Sequence, residues 1–109
     1  MSDSFVVVAV AGDDLASENP IVAGRVSSAR VLKADGVRLM HLAFDTGEAL
    51  TEHSAAVPIT VQCLAGRFRV EAGDESTELS PGGIVYIAAR VQHAVHALEA
   101  GRLLLALHG

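Results

Sequence analysis

The side chains of this sequence that could do chemistry are its histidines and its single cysteine. The chain has five histidines and one cysteine among 109 residues. A neutral imidazole binds first-row metals and exchanges protons near physiological pH. Cys63 has no partner for an intramolecular disulfide, and no Cys or His stands beside it at the spacing of a zinc site. We therefore expect Cys63 to be a small buried hydrophobe and the candidate site to depend on histidines.

One histidine lies between two glycines in the stretch from Gly47 to Gly66. His53 follows Gly47 after five residues, and Gly66 ends the stretch. This spacing resembles the first motif of the cupin superfamily, in which Gly, two His, a Glu and a further Gly recur at fixed offsets. Ala55 and Ile59 stand where that motif has its second His and its Glu.

A second stretch, at about 82–97, resembles the second cupin motif. Gly82 and His93 match its Gly and His, while Ala88, Arg90 and Ala97 stand where it has Pro, Gly and Asn. The resemblance covers about half of the chain. It implies an all-β fold, the cupin-type double-stranded β-helix or jelly-roll barrel, with a short N-terminal extension.

The resemblance also implies a site. A cupin metal is held by three imidazoles and one carboxylate from facing strands, so His53 and His93 would be the two ligands that remain. The expected cofactor is a divalent first-row metal such as Zn, Fe, Mn or Ni, and a pocket without any metal is an equal alternative. His41 is the possible third ligand, and Glu52 is expected at the solvated rim unless a bend brings it inward.

Strand alternation predicts which neighbours share the pocket with these histidines. If His93 points inward, Val95 does too, and His96 points outward. The same alternation, starting from the Ile59 position, turns Val61 and Cys63 toward the interior. The expected pocket therefore has a mostly apolar floor, and its members are His53, His93, Ala55, Ile59, Val61, Cys63 and Val95.

The elements that must position these residues are short apolar runs separated by turn residues. Such runs, separated by Gly, Pro and Asp at about every 10 to 15 residues, are typical of an all-β sandwich or barrel. The polar segment from Gly12 to Pro20 predicts a short helical turn before them. The runs are Val26–Leu32, Val37–Phe44, Pro58–Leu64, Phe68–Ala72, Ile84–Ala89, His93–Leu98 and Leu103–Leu107.

Composition limits the class of protein. Half of the residues are hydrophobic and the length suits one core, so we expect a single domain over residues 1–109. The net charge of -5 argues against a nucleic-acid partner. The apolar segment Phe5–Ala11 is too short for a membrane span and has no basic flank, which favours a cytoplasmic protein without a membrane partner. The run Val37–Phe44 is apolar on both faces, which indicates a homodimer.

Three functions follow from these observations. The first is a cupin-like protein that binds an unidentified small molecule in the two-histidine pocket. The alternative is a metal-dependent cupin enzyme, of the oxygenase or isomerase type, with His53 and His93 as ligands. The second alternative is a structural homodimer without a ligand. No catalytic residue is assigned, because neither motif stretch has an obvious further acid or base.

Overall fold

The computed structural model of the chain describes residues 4–109 and has nine strands after one short helix. Each of the seven apolar runs forms a strand whose ends lie within two residues of the expected ones, and the predicted helical turn is present. The elements are α1 (Gly12–Glu18), β1 (Val26–Ala34), β2 (Val37–Phe44), β3 (Ala49–His53), β4 (Ile59–Ala65), β5 (Phe68–Ala72), β6 (Glu75–Leu79), β7 (Ile84–Ile87), β8 (His93–Ala97) and β9 (Gly101–His108).

The strands form two antiparallel sheets. The larger sheet has the order β1-β2-β9-β4-β7, and the smaller one has the order β3-β8-β5-β6. Strands that are neighbours in a sheet are often distant in sequence, and consecutive strands such as β3 and β4 lie in different sheets. This is the jelly-roll arrangement, so the predicted all-β fold class is confirmed.

Two strands were missed by the sequence analysis, namely β3 and β6. Both are short, and four of the five residues of β6 are exposed. A strand that is mostly solvated has no apolar run to reveal it. β6 forms instead because the two-residue turn Gly73–Asp74 returns the chain alongside β5, with Ala72 paired to Glu75.

The core lies between the inner faces of the two sheets. Phe44 and Phe68 pack edge to face, with ring centroids 5.0 Å apart and an interplanar angle of 73°. Such a contact contributes about 1 kcal/mol beyond the area that it buries. The remaining core is aliphatic and comprises Leu42, Ile59, Val61, Cys63, Val70, Leu79, Ile87, Val95, Ala97 and Leu103.

The helix α1 and the residue after it cover part of the outer face of β2. Leu15 of α1 is buried, and the Asn19 side chain donates to the backbone carbonyl of His41 over 3.1 Å. Part of the cover that the apolar run Val37–Phe44 requires is therefore supplied by the same chain. Among residues 4–109, no helix is long and apolar enough to cross a membrane.

Candidate functional site

β3 and β8 bring His53 and His93 together. The two residues are directly paired across the antiparallel strands, and their ring centroids lie 4.2 Å apart with an interplanar angle of 63°. Forty residues separate them in sequence, so this contact depends on the jelly-roll topology. The structure thus places side by side the two histidines that the motif resemblance selected.

Each imidazole is held in one tautomer by the backbone carbonyl of the residue two positions before it in the chain. The Nδ1 of His53 lies 2.8 Å from the carbonyl oxygen of Thr51, and the Nδ1 of His93 lies 3.1 Å from that of Val91. A carbonyl oxygen only accepts hydrogen bonds, so both Nδ1 atoms carry a proton and donate it. In the neutral rings both Nε2 atoms are therefore unprotonated, and neither has a hydrogen-bond partner within residues 4–109.

The two histidines differ in exposure. His93 is buried, with 3% of its surface exposed, whereas His53 is exposed at the end of β3. Burial lowers the pKa of His93, and the nearby charge of His53 lowers it further, against the opposing effect of the Val91 carbonyl. His93 is consequently a neutral imidazole at pH 7, available as an acceptor or a ligand.

The loop between β7 and β8 is bonded to the segment that follows His53. The backbone N–H of Arg90 donates to the carbonyl of Ala55 over 2.7 Å. Arg90 has a φ of 68°, in the left-handed region that favours glycine, and it occupies the position where the cupin motif has Gly. Arg90 thus adopts a backbone conformation that glycine adopts more easily, and its bond to Ala55 links the two histidine-bearing stretches.

His41 does not reach the two histidines, which corrects its expected role as a third ligand. On β2, Leu42 and Phe44 face the core, so His41 faces the opposite side of the larger sheet. There it is completely buried, and its Nδ1 lies 3.1 Å from Asn19 Nδ2. Its Nε2 is also buried, without a partner among the described residues. Burial, and then the charge of Arg102, lowers the pKa of His41.

Neither of the other two polar side chains joins the histidine pair. Glu52 is exposed and lies within the irregular part of β3, where the register shifts between Leu50 and His53. His96 Nε2 lies 3.0 Å from Glu71 Oε1 on the outer face of the smaller sheet. Neither residue supplies a donor to the His53 and His93 pair.

The residues that were expected to form an apolar floor lie in the packed core between the two sheets. Ile59, Val61, Cys63 and Val95 are all buried members of the core, and Ala55 packs against them. Burial also raises the pKa of the Cys63 thiol, which is an unreactive core side chain in this environment.

An open cleft lies between the free edges of the two sheets, at a place that no sequence pattern indicated. It has a volume of about 210 Å³, and Ala72 in its wall is paired directly with His93. The missed strand β6 forms one side, which is why no signal for the cleft was found in the sequence. Its lining residues are Val70, Ala72, Glu75, Ser76, Thr77, Val85, Tyr86 and Ile87.

A second depression, of about 450 Å³, lies at the turn between β1 and β2, and its lining includes no histidine and no residue of either motif stretch. Because it lies outside both motif stretches, it is not a candidate for the same site.

The residues present do not fit the four-ligand metal site of the motif. Two imidazoles have the tautomer that metal ligation through Nε2 requires. However, residues 4–109 contain no cluster of three or more His, Cys, Asp or Glu side chains that could hold a metal ion. Ile59, which stands in the place of the motif carboxylate, is buried in the core and offers no donor.

Solved structures with this fold include several cupins. A cupin superfamily protein from Desulfitobacterium hafniense has a TM-score of 0.80 at 21% identity, covering 86% of each chain. A conserved Streptococcus pyogenes protein of unknown function has a TM-score of 0.79 at 21% identity, covering 99% of this chain and 90% of its own. An RmlC-like cupin from Shewanella frigidimarina has a TM-score of 0.76 at 16% identity, covering 98% and 91%.

No protein-family model and no curated protein matches the sequence. At these identities the solved structures establish the fold and not an activity. The two motif stretches, the jelly-roll topology and the agreement over nearly the whole chain lead to the same conclusion: this chain is a cupin-type β-barrel, and its resemblance to the cupin superfamily is confirmed at the level of the fold.

Proposed function

We propose that the protein is a cupin-like small-molecule-binding protein whose ligand contacts His53 and His93. The observation that carries the proposal is the fixed tautomer of both rings. Because each Nδ1–H is already bonded to a backbone carbonyl, both Nε2 lone pairs are free on rings that touch. The pair is a preformed double acceptor that a ligand binds without rearrangement of either ring.

The neutrality of His93 sets the kind of ligand. An unprotonated Nε2 accepts hydrogen bonds and donates none. The lowered pKa of His93 keeps it in this state near neutral pH, because burial penalises the imidazolium. Molecules with an O–H or N–H donor, such as a hydroxyl, amide or ammonium group, are therefore favoured as ligands over simple carboxylates.

A ligand-observed NMR screen of small polar molecules tests this proposal. The wild-type protein is compared with His53→Phe, which keeps an aromatic ring beside His93 and removes both ring nitrogens. The matched control is His96→Phe, because His96 lies on β8 but faces the other side of the sheet. Ligands of the proposed site lose binding in His53→Phe and retain it in His96→Phe. An empty screen, or equal binding to all three proteins, would contradict the proposal.

A metal-dependent enzyme of the oxygenase or isomerase type is the second candidate. The same tautomer that frees both Nε2 atoms is the one that histidine ligands adopt, with Nδ1–H bonded to a carbonyl. A bound Zn, Fe, Mn or Ni ion would supply Lewis acidity or an open coordination position there. Since only two imidazoles are available, we expect weak binding that leaves the ion with mostly water ligands.

Metal analysis separates the two candidates. The protein is dialysed against chelator, and then titrated with Co²⁺ or Zn²⁺ while the visible spectrum and the heat of binding are followed. Saturable binding of one ion per chain that His53→Phe abolishes would favour the metal enzyme. No saturable binding would remove that candidate and leave the small-molecule proposal standing.

We also propose that the protein is a cytoplasmic homodimer. The outer face of the larger sheet supports the proposed dimer. Ile84 and Tyr86 on the edge strand β7 are 59% and 65% exposed. Ile84 pairs with Gln62 on β4, and Gln62 pairs in turn with the half-buried Leu104 on β9. Sedimentation equilibrium tests this assembly, with Tyr86→Glu as the disrupting variant. A strictly monomeric wild type would contradict it, and with it the second alternative of a structural homodimer without ligand.

A further inference from the structure

One row of directly paired residues crosses all four strands of the smaller sheet. His53 pairs with His93, His93 pairs with Ala72, and Ala72 pairs with Glu75. Directly opposed residues on antiparallel strands have their side chains on the same face of the sheet. Glu75 therefore faces the same side of the sheet as the two imidazoles. Leu79 lies four residues further along β6, so it faces the same side, and it is buried in the core between the sheets.

The spacing within this row leaves room for a ligand. Neighbouring strands lie about 4.8 Å apart, so the Cα atoms of Glu75 and His93 are separated by roughly 10 Å. Only the methyl group of Ala72 projects between them. A longer side chain at that position would fill the space between the carboxylate and the imidazole.

The cleft described above adjoins this row, because Ala72 and Glu75 are among its lining residues, whereas neither histidine is. Its volume of about 210 Å³ corresponds to the bulk volume of roughly seven water molecules, which is small beside the pockets that hold drug-sized ligands. Its apolar wall is formed by Val70 on one sheet and by Val85 and Ile87 on the other. The occupant is consequently a small molecule with a compact hydrocarbon part.

The charge of the lining selects the polar part of the occupant. Glu75 is the ionisable carboxylate among the lining residues, and none of them is Lys or Arg. His93 is paired with Ala72 in the wall of the cleft, but it is not itself a lining residue. An anion in the cleft would meet the negative charge of Glu75, whereas an ammonium group would meet a complementary charge.

We propose that the cleft binds a small primary amine. Its ammonium group is held by the Glu75 carboxylate, and its hydrocarbon part packs against Val70, Val85 and Ile87. This assignment deepens the proposed function and rests on it, since it names the chemical class that binds next to the His53 and His93 pair.

Three ring compounds that differ only in their polar group test the assignment. Cyclohexylamine, cyclohexanol and cyclohexanecarboxylate are titrated into ¹⁵N-labelled protein while amide shifts of β5, β6 and β7 are followed. We expect the amine to bind most tightly and the carboxylate least. A carboxylate that binds as tightly as the amine, or more tightly, would overturn the assignment, as would the absence of binding by all three compounds.

Two glutamate variants locate the charge that is responsible. Glu75→Gln is expected to weaken amine binding about fivefold, which is about 1 kcal/mol for a partly solvated charge pair, and to leave cyclohexanol unchanged. Glu78→Gln is the matched control, because Glu78 lies on the same strand but bonds Arg67 over 2.8 Å outside the cleft. Equal amine affinity in Glu75→Gln and wild type would refute the role of Glu75.

A third variant tests the location independently of charge. Ala72→Leu fills the space beside Glu75 and is expected to abolish binding of both the amine and the alcohol, with circular dichroism confirming that the variant is folded. Retained binding in folded Ala72→Leu would place the ligand elsewhere. If screened ligands bind in a His53-dependent manner while the amine series fails, the amine assignment is wrong and the proposed function stands; if neither binds, both are wrong.

Discussion

Acidification is expected to destabilise the fold through His41, the buried histidine beneath the segment that follows α1. Its Nδ1 accepts a hydrogen bond from the Asn19 side chain over 3.1 Å, so that nitrogen is unprotonated in the folded chain. Protonation of this Nδ1 would place two hydrogen-bond donors, the imidazolium N–H and the Asn19 side-chain N–H, against each other in a fully buried environment. Arg102, whose Nη1 bonds the carbonyl of Asn19 over 2.7 Å, adds positive charge nearby. Burial first, and Arg102 second, hold the pKa of His41 below its ordinary value of 6.5.

The sign and the limit of this effect follow from linkage. Because the folded-state pKa is lowered, the unfolded chain binds the proton first as the pH falls. The contribution of neutral His41 to the free energy of unfolding is therefore fully present above about pH 6.5. It is lost as the pH falls from there through the folded-state pKa. Each such group changes the free energy of unfolding by at most about 1.4 kcal/mol per pH unit. His93 has a pKa lowered in the same direction, so the two together give a slope of at most about 2.7 kcal/mol per pH unit.

Urea unfolding followed by far-ultraviolet circular dichroism, at several pH values from about 7.5 down to about 5, measures this slope. His41→Asn keeps an acceptor oxygen near the position of Nδ1 and cannot titrate, so we expect it to remove up to half of the slope below pH 6.5. His108→Asn, at the exposed end of β9, controls for the loss of a surface histidine. A slope in His41→Asn equal to that of the wild type would refute this reasoning.

Three further predictions concern the backbone and the core. Arg90→Gly removes the backbone strain of a side chain at a positive φ, so we expect it to raise the free energy of unfolding by up to about 1 kcal/mol. A lower urea midpoint in this variant would contradict the proposed strain. Gly101→Ala would drive a methyl group into the carbonyl of Ala65, and we expect a loss of at least about 2 kcal/mol; an unchanged Tm would show that the strands are not so close. Cys63 should resist thiol reagents in the native state, because it is fully buried with a raised pKa, and rapid labelling without denaturant would contradict that placement.

The sequence predicts most of the fold because the larger sheet and the centre of the smaller one are built from apolar runs. β2 was predicted with its observed ends, Val37 and Phe44, since both faces of this strand are apolar and turn residues flank it. β6 has no such pattern, because its outward side and most of its inward side are solvated. Its existence depends on a tight turn and on pairing with β5, neither of which has a hydrophobic signature.

The candidate site was predicted only in part, for a related reason. Alternation along β8 and β4 correctly sorted His93, Val95 and Val61 to the interior, because periodicity of two determines facing within a strand. Alternation could not determine which way His41 faces, since β2 is apolar on both sides and its inward and outward positions look alike in the sequence. It also gave no sign of Glu75, whose place in the site comes from cross-strand register rather than from its own neighbours.

The central claim, that His53 and His93 form a paired acceptor for a ligand, is tested most directly by the ring nitrogens themselves. Long-range ¹H–¹⁵N correlation spectra of labelled protein near neutral pH distinguish protonated from unprotonated imidazole nitrogens. We expect both rings in the Nδ1–H tautomer, and we expect the two Nε2 resonances to shift on addition of a ligand identified in the NMR screen while that of His96 does not. Rings found in the Nε2–H tautomer, or Nε2 resonances that do not change under saturating ligand, would contradict the account.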